Sequence, residues 1–208
     1  AARLRAWGVN ADSRVVAYDD SNGAYAARLW WMLRWLGHDD VAVLDGGMRR
    51  WLQLGLPLSE DVPAPAPGSF IARPRPGMAV SATAVLAATP DPSARILDAR
   101  APERYRGEVE PIDKVAGHVP GARNHPFGMS LDSQGRFLPP QVLRDTLAAS
   151  LDGVAPESAI VYCGSGVTAC HVLLALEHAG LAGARLYPGS WSEWSSDPSR
   201  PVATGAMP

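Results

Sequence analysis

Cys163 stands where a protein can use a cysteine chemically. It closes the run Ile160-Val161-Tyr162-Cys163 and is followed by Gly164-Ser165-Gly166-Val167-Thr168. The apolar residues Ala159 to Tyr162 read as a buried parallel strand, and Leu173, Leu174, Leu176 and Ala179 place a helix after the loop. The thiol is thus set at the carboxyl end of a strand and at a helix N-terminus, where free backbone N–H groups and the positive end of the helix dipole converge. Such a place binds anions and favours the thiolate over the thiol. The chemistry on offer is nucleophilic attack by sulfur next to an anion-binding loop.

The elements that must hold this loop alternate along the chain. Arg14 to Tyr18 is strand-like, Gly23 to Leu36 helical, Val41 to Leu44 a strand and Met48 to Leu54 a short helix. Six prolines between Pro57 and Pro76 mark an extended segment, taken as a linker over residues 61–79. Beyond it, Ser81 caps a helix to about Thr89, Arg95 to Leu97 is a strand, and Pro102 to Tyr105 a helical turn. Gly117 to Asn124 is expected as a loop, Pro140 to Ala149 as a helix, and Arg185 to Tyr187 as a last strand. Strands alternating with helices argue an α/β fold on a parallel sheet.

The 208 residues suffice for one large domain or two small ones, and they carry a repeat. Val15-Val16-Ala17-Tyr18-Asp19 resembles Ala159-Ile160-Val161-Tyr162-Cys163, and each is followed by a loop, an apolar helix, a Gly turn, a strand and a Trp. Asp19 to Trp51 spans 32 residues and Cys163 to Trp194 spans 31. Asp19 holds the nucleophile position of the first copy. An aspartate cannot do thiolate chemistry, so only the second copy is expected to be active, with Asp19 and Asp20 keeping a vestigial loop soluble. Only 18 residues precede Asp19, so the first copy is expected to lack its early strands and helices, as a fragment would. The division is therefore 1–60 a partial inactive domain, 61–79 the linker and 80–208 the catalytic domain.

Bulk properties narrow the function. The net charge of −2 gives no electrostatic footprint for nucleic acid, and no apolar run reaches the roughly 20 residues of a membrane span. The two cysteines, Cys163 and Cys170, are seven apart and offer no disulfide framework, which suits a reducing cytoplasm. No Cys or His spacing suggests a metal. Cys170, His171 and most of the tryptophans are expected to pack, His118 to fix a loop, and Arg100 to brace the site through a carboxylate.

Several motifs taken together resemble the tandem-domain rhodanese family, the thiosulfate and 3-mercaptopyruvate sulfurtransferases. They are Leu44-Asp45-Gly46-Gly47 with Trp51, Asp98-Ala99-Arg100 with Arg104-Tyr105, Gly117-His118-Val119-Pro120-Gly121-Ala122-Arg123-Asn124, the Cys163 loop, and Tyr187-Pro188-Gly189-Ser190-Trp191-Ser192-Glu193-Trp194. The resemblance implies two doubly wound domains, an inactive first and an active second. It also implies a sulfurtransferase that moves sulfane sulfur from 3-mercaptopyruvate or thiosulfate to a thiol, thioredoxin or cyanide through a Cys163 persulfide, with no cofactor. Cys163-Gly164-Ser165-Gly166-Val167-Thr168 looks like the mercaptopyruvate type, since Gly164 and Ser165 stand where some thiosulfate-type members place cations. Arg104 matches the family's substrate-binding arginine. Ser165 joins Cys163 as a catalytic residue, and Gly164, Gly166, Val167 and Thr168 line the anion cradle. A second arginine expected nine residues after Arg104 is replaced by Asp113, with Lys114 beside it as a substitute cation. A cysteine-loop phosphatase would need an arginine where Ala169 stands. The remaining alternative is a non-catalytic sulfur-carrier or regulatory module.

Overall fold

The computed structural model describes residues 1–62 and 64–208. The chain divides into two compact units, Ala1–Pro76 and Gly77–Pro208.

The first unit contains α1 (Ala2–Ala6), β1 (Val15–Ala17), α2 (Ala24–Trp35), β2 (Val41–Val43) and α3 (Gly47–Gln53). β1 and β2 pair in parallel, Val16 opposite Ala42. Leu4, Val9, Leu33 and Phe70 form its core. Phe70 belongs to the proline-rich stretch, whose backbone is tied down. Gly68 N donates to Arg5 O at 2.7 Å, Phe70 N to Val9 O at 3.1 Å, and Arg73 N to Leu36 O at 2.8 Å. Prolines keep this stretch extended, and the N–H groups between them fasten it to its own unit.

The second unit contains α4 (Ala82–Ala88), β3 (Arg95–Asp98), α5 (Pro102–Tyr105), β4 (Ala122–Asn124), α6 (Pro140–Leu151), β5 (Ala159–Tyr162), α7 (Val167–His178), β6 (Arg185–Leu186) and α8 (Ser190–Ser196). Ser81 caps α4 by accepting from Ala84 N at 3.3 Å. The four strands run parallel in the order β4-β3-β5-β6. Residues 117–124 are not all loop: Ala122–Asn124 pairs with β3, Leu97 opposite Arg123, and forms the sheet's edge. An edge strand of three residues with polar Arg123 and Asn124 carries neither alternation nor an apolar run, so its identity comes only from the partner it pairs with.

β5 is buried along its whole length, as a central parallel strand must be. One core cluster gathers Val85, Ile96, Tyr105, Ile160, Tyr162, Trp191 and Trp194. Leu143, Leu147, Leu173 and Leu176 are also buried, on the apolar stripes of α6 and α7. From β3 the chain goes first to one neighbour, β4, and then crosses to the other, β5. The winding therefore reverses between β3 and β5, and a crevice opens at their carboxyl ends. Asp98 ends one of these strands and Cys163 follows the other.

Candidate active site

Cys163 is 2% exposed and lies at the floor of a cavity of about 300 Å³. The walls come from the two strand ends just described: Ala99, Arg100 and Ala101 after β3, and Gly164, Ser165, Val167 and Thr168 after β5. Arg104, Ile112, Phe127 and Ser192 complete them. Of the residues expected at the site, Cys163, Gly164, Ser165, Val167, Thr168 and Arg104 line this one cavity. Gly166 lies behind the sulfur. Its N–H donates to Cys163 Sγ at 3.1 Å. Gly166 is the N-cap of α7 with φ +77°, the left-handed conformation that glycine adopts without strain. The N–H groups of the first turn of α7 have no carbonyl one turn earlier to donate to, which leaves them for an anion. Cys170 Sγ donates to Gly166 O at 3.2 Å from inside the helix packing.

The loop is braced from the far side by Ser190. Its Oγ accepts from Cys163 N at 3.1 Å and donates to Tyr187 O at 2.9 Å. Ser190, not the neighbouring Gly189, takes the left-handed conformation, with φ 55°. Trp191 N and Ser192 N donate to Cys163 O and Gly164 O at 2.9 and 3.0 Å. The start of α8 thus pins the sulfur loop, which the sequence pattern did not reveal.

Arg100 and Arg104 differ in kind. Arg100 is buried and held by Asp98, with Nη2 to Oδ2 at 2.6 Å and a further bond to Gly117 O at 2.7 Å. Its guanidinium also sits 4.7 Å from the Trp191 ring centroid, so it braces two walls at once. Arg104 has one edge on a carboxylate that sequence reading did not single out: Nη2 and Nε donate to Glu110 at 2.5 and 3.3 Å. Its other edge faces the loop, since a Cβ placed on Gly164 would lie 3.4 Å from Nη1. Burial opposes ionisation of Glu110, but Arg104 and the N–H groups of Asp113 and Ile112 outweigh it and hold the carboxyl below its usual range. Lys114 does not take the place of a second arginine. It is exposed and outside the cavity wall, while Asp113 turns toward Arg104 at 3.7 Å. His118 stacks on Tyr105 and bonds its carbonyl at 2.8 Å, a structural placement.

The corresponding loop of the first unit corrects one expectation. Asp19 does not hold the loop in solvent; it binds the loop. Its carboxylate accepts from Ser21 N at 2.7 Å, Gly23 N at 2.8 Å, Tyr25 N at 2.9 Å and Ala26 N at 2.8 Å. Burial works against the charge, but the four backbone bonds outweigh it and keep the carboxyl below the usual Asp range. A strand-loop-helix junction of this pattern is therefore an anion cradle, seen here with an anion in it.

Among the described residues no cluster of His, Cys, Asp or Glu could hold a metal ion, and no helix is long and apolar enough to cross a membrane. The family model for the rhodanese-like domain matches residues 2–54 and 81–197. A protein of Pseudomonas aeruginosa named "Probable 3-mercaptopyruvate sulfurtransferase" is 52% identical over 206 residues, 99% of this chain and 72% of that protein. The 3-mercaptopyruvate sulfurtransferase of Homo sapiens is 39% identical over 90% of this chain and 64% of its own length. Among solved structures, SseA from Escherichia coli, described as a 3-mercaptopyruvate sulfotransferase with the rhodanese fold, superposes with a TM-score of 0.78 at 38% identity, covering 91% of this chain and 71% of that one.

Proposed function

The chain belongs to the rhodanese-like domain family, and from that premise we propose that it is a sulfurtransferase in which Cys163 carries the transferred sulfur as a persulfide. The observation that supports this most directly is the bond from Gly166 N–H to Cys163 Sγ at the floor of an open cavity with Arg104 on its wall. The thiolate attacks the sulfur of 3-mercaptopyruvate. The carbon–sulfur bond breaks, its electron pair leaves with the pyruvate enolate, and solvent protonates the enolate. With thiosulfate the sulfur–sulfur bond breaks and sulfite leaves. From 3-mercaptopyruvate the outer sulfur arrives with the donor's thiol proton and gives it up to solvent; from thiosulfate it arrives without one. The outer sulfur then carries the negative charge, and the N–H groups from Gly164 to Thr168 stabilise it. A thiolate acceptor, thioredoxin or cyanide attacks that outer sulfur and returns the Cys163 thiolate.

In this reading Arg104 binds the donor's carboxylate through Nη1, and Ser165 and Thr168 donate from the rim to the leaving enolate or the persulfide. Residues 80–208 form the catalytic domain and residues 1–60 an inactive relative of it, with 61–79 between them. No cofactor enters the reaction, and neither nucleic acid nor a membrane is a partner. Two free cysteines and a reaction that needs a thiolate favour a reducing compartment, and we take this to be the cytoplasm.

The test is intact-mass analysis after exposure to each donor. The chain is expected to gain one sulfur atom, and Cys163→Ser to gain none while keeping its circular dichroism spectrum. A sulfur adduct on the Ser variant, or none on the native chain with either donor, defeats the assignment.

A further inference from the structure

The charges around Arg104 bear on which donor the site accepts, an inference that rests on the sulfurtransferase reading and refines it. Arg104 is the cation that faces the sulfur loop, and two acids surround its outer edge. Glu110 takes Nη2 and Nε at 2.5 and 3.3 Å, and Asp113 Oδ2 lies 3.7 Å from Nη2. The Glu110 side chain is 3% exposed and that of Asp113 12%, so water and salt screen them poorly. Arg100, the other cation on the wall, is already bound to Asp98 at 2.6 Å and also reaches Glu110 at 3.3 Å. Two guanidinium charges thus meet three carboxylates, Asp98, Glu110 and Asp113, and the cluster carries one net negative formal charge. Gly164 to Thr168 add no charged side chain. Attraction for an anion therefore comes from N–H dipoles and from one oriented face of Arg104. The surrounding field penalises each added negative charge on the donor.

We propose that Glu110 and Asp113 are specificity-determining residues: they fix the plane of Arg104 and offset its charge, so that the site takes a monoanionic α-keto carboxylate donor in preference to a dianionic one.

The experiment measures kcat/KM for 3-mercaptopyruvate and for thiosulfate on the native chain, Glu110→Gln and Asp113→Asn. Gln keeps an oxygen for the Ile112 and Asp113 N–H groups that Glu110 now accepts at 3.1 and 3.2 Å. The two donors differ by one charge. Removing one buried charge several Å away is therefore expected to raise the ratio of thiosulfate to mercaptopyruvate efficiency by about tenfold in Glu110→Gln, and by less in Asp113→Asn. The change should lie mainly in KM for thiosulfate and shrink as salt is added. A ratio unchanged in both variants, or an equal loss on both donors, overturns the proposal. Intact-mass detection of the persulfide runs alongside. A native chain that forms none from either donor overturns the sulfurtransferase reading itself, whereas persulfide formation with an unmoved ratio overturns only the charge selection.

Discussion

Gly166→Ala tests the link between backbone geometry and sulfur chemistry at one atom. Gly166 has φ +77°, and an L-residue held there costs about 1–2 kcal/mol. The added Cβ would also fall 2.8 Å from Pro188 O and 3.3 Å from Pro188 Cα, too close for either to stay where it is. Relieving that contact adds about 1 kcal/mol, for a total of about 2–3 kcal/mol. The relief must move either Pro188, two residues before the Ser190 that braces the loop, or Gly166 itself, whose N–H is on the sulfur at 3.1 Å. Losing one such donor from a site that stabilises developing charge costs on the order of a hundredfold in rate. Gly164→Ala is the control. Its Cβ would meet only Arg104 Nη1 and Nη2 at 3.4 and 3.7 Å, and its φ lies outside the left-handed region. It is expected to lose under about 1 kcal/mol. Urea denaturation gives the stability difference, and rapid-quench intact-mass analysis gives the rate of persulfide formation. If Gly166→Ala keeps its stability within about 0.5 kcal/mol and its rate within about threefold, the loop is not the rigid anion cradle argued above.

Two further perturbations follow from buried groups. Ser190→Ala strands the Cys163 N–H and the Tyr187 carbonyl that its Oγ bridges at 3.1 and 2.9 Å, at a cost of about 1–3 kcal/mol. Ser190→Gly loses the same bonds but accepts φ 55° without strain, so urea titration should find it the less destabilised of the two. The reverse order would mean that the strain is absent. His125 is 1% exposed, bonded to Ser150 Oγ at 2.8 Å, and pushed down by burial to about 4. The unfolded chain takes up this proton near the ordinary value of about 6.5, so between about 6.5 and 4 it binds more protons than the folded state. Stability should fall as pH drops through that window, by about 3 kcal/mol in all, with no contribution above it. His125→Gln should flatten this part of the profile. An unchanged slope would refute the assignment, although the buried His118, also lowered by desolvation, keeps some slope in either protein.

The strand, loop and helix around Cys163 were legible because their signals are local. A four-residue apolar run bounded by turn residues fits a buried central strand, and glycines before an apolar helix mark the turn. Arg104 was legible through its place in a motif, but Glu110 was not. It lies six residues on, in an irregular loop without periodicity, and it matters only because folding brings its carboxylate to Arg104. Ser190 was hidden for a sharper reason. The rule that glycine takes the left-handed position would choose Gly189, yet Gly189 has φ −66° and Ser190 has φ 55°. Tertiary bonds to Cys163 N and Tyr187 O hold the serine against its own preference. β4 escaped because polar Arg123 and Asn124 suit an edge strand as well as a loop, and register with β3 decides between them. Asp19 beside Asp20 resembles any solvated acidic pair, and only the fold reveals that one of them faces inward to four N–H groups.

The two loops explain each other. Both follow a parallel strand, and both enter a helix through a glycine in the left-handed conformation, Gly23 at φ 84° and Gly166 at φ 77°. In the first, Asp19 carries two oxygens one bond beyond Cγ, and they collect four N–H donors. In the second, the side chain ends one atom earlier, at Sγ, which collects the N–H of Gly166. A persulfide restores the missing atom: its outer sulfur sits as many bonds from Cα as an aspartate oxygen does, and it too is negative. The first loop has one residue more before its helix, Asp20 to Gly23 against Gly164 to Gly166, so the donors are not superimposable one by one. The length and charge match is nonetheless what a sulfur carrier requires. A side chain that already fills the cradle, as Asp19 does, has nothing to gain from a donor. One that falls an atom short is stabilised by acquiring that atom, and the same short side chain leaves the cavity open to the molecule that brings it.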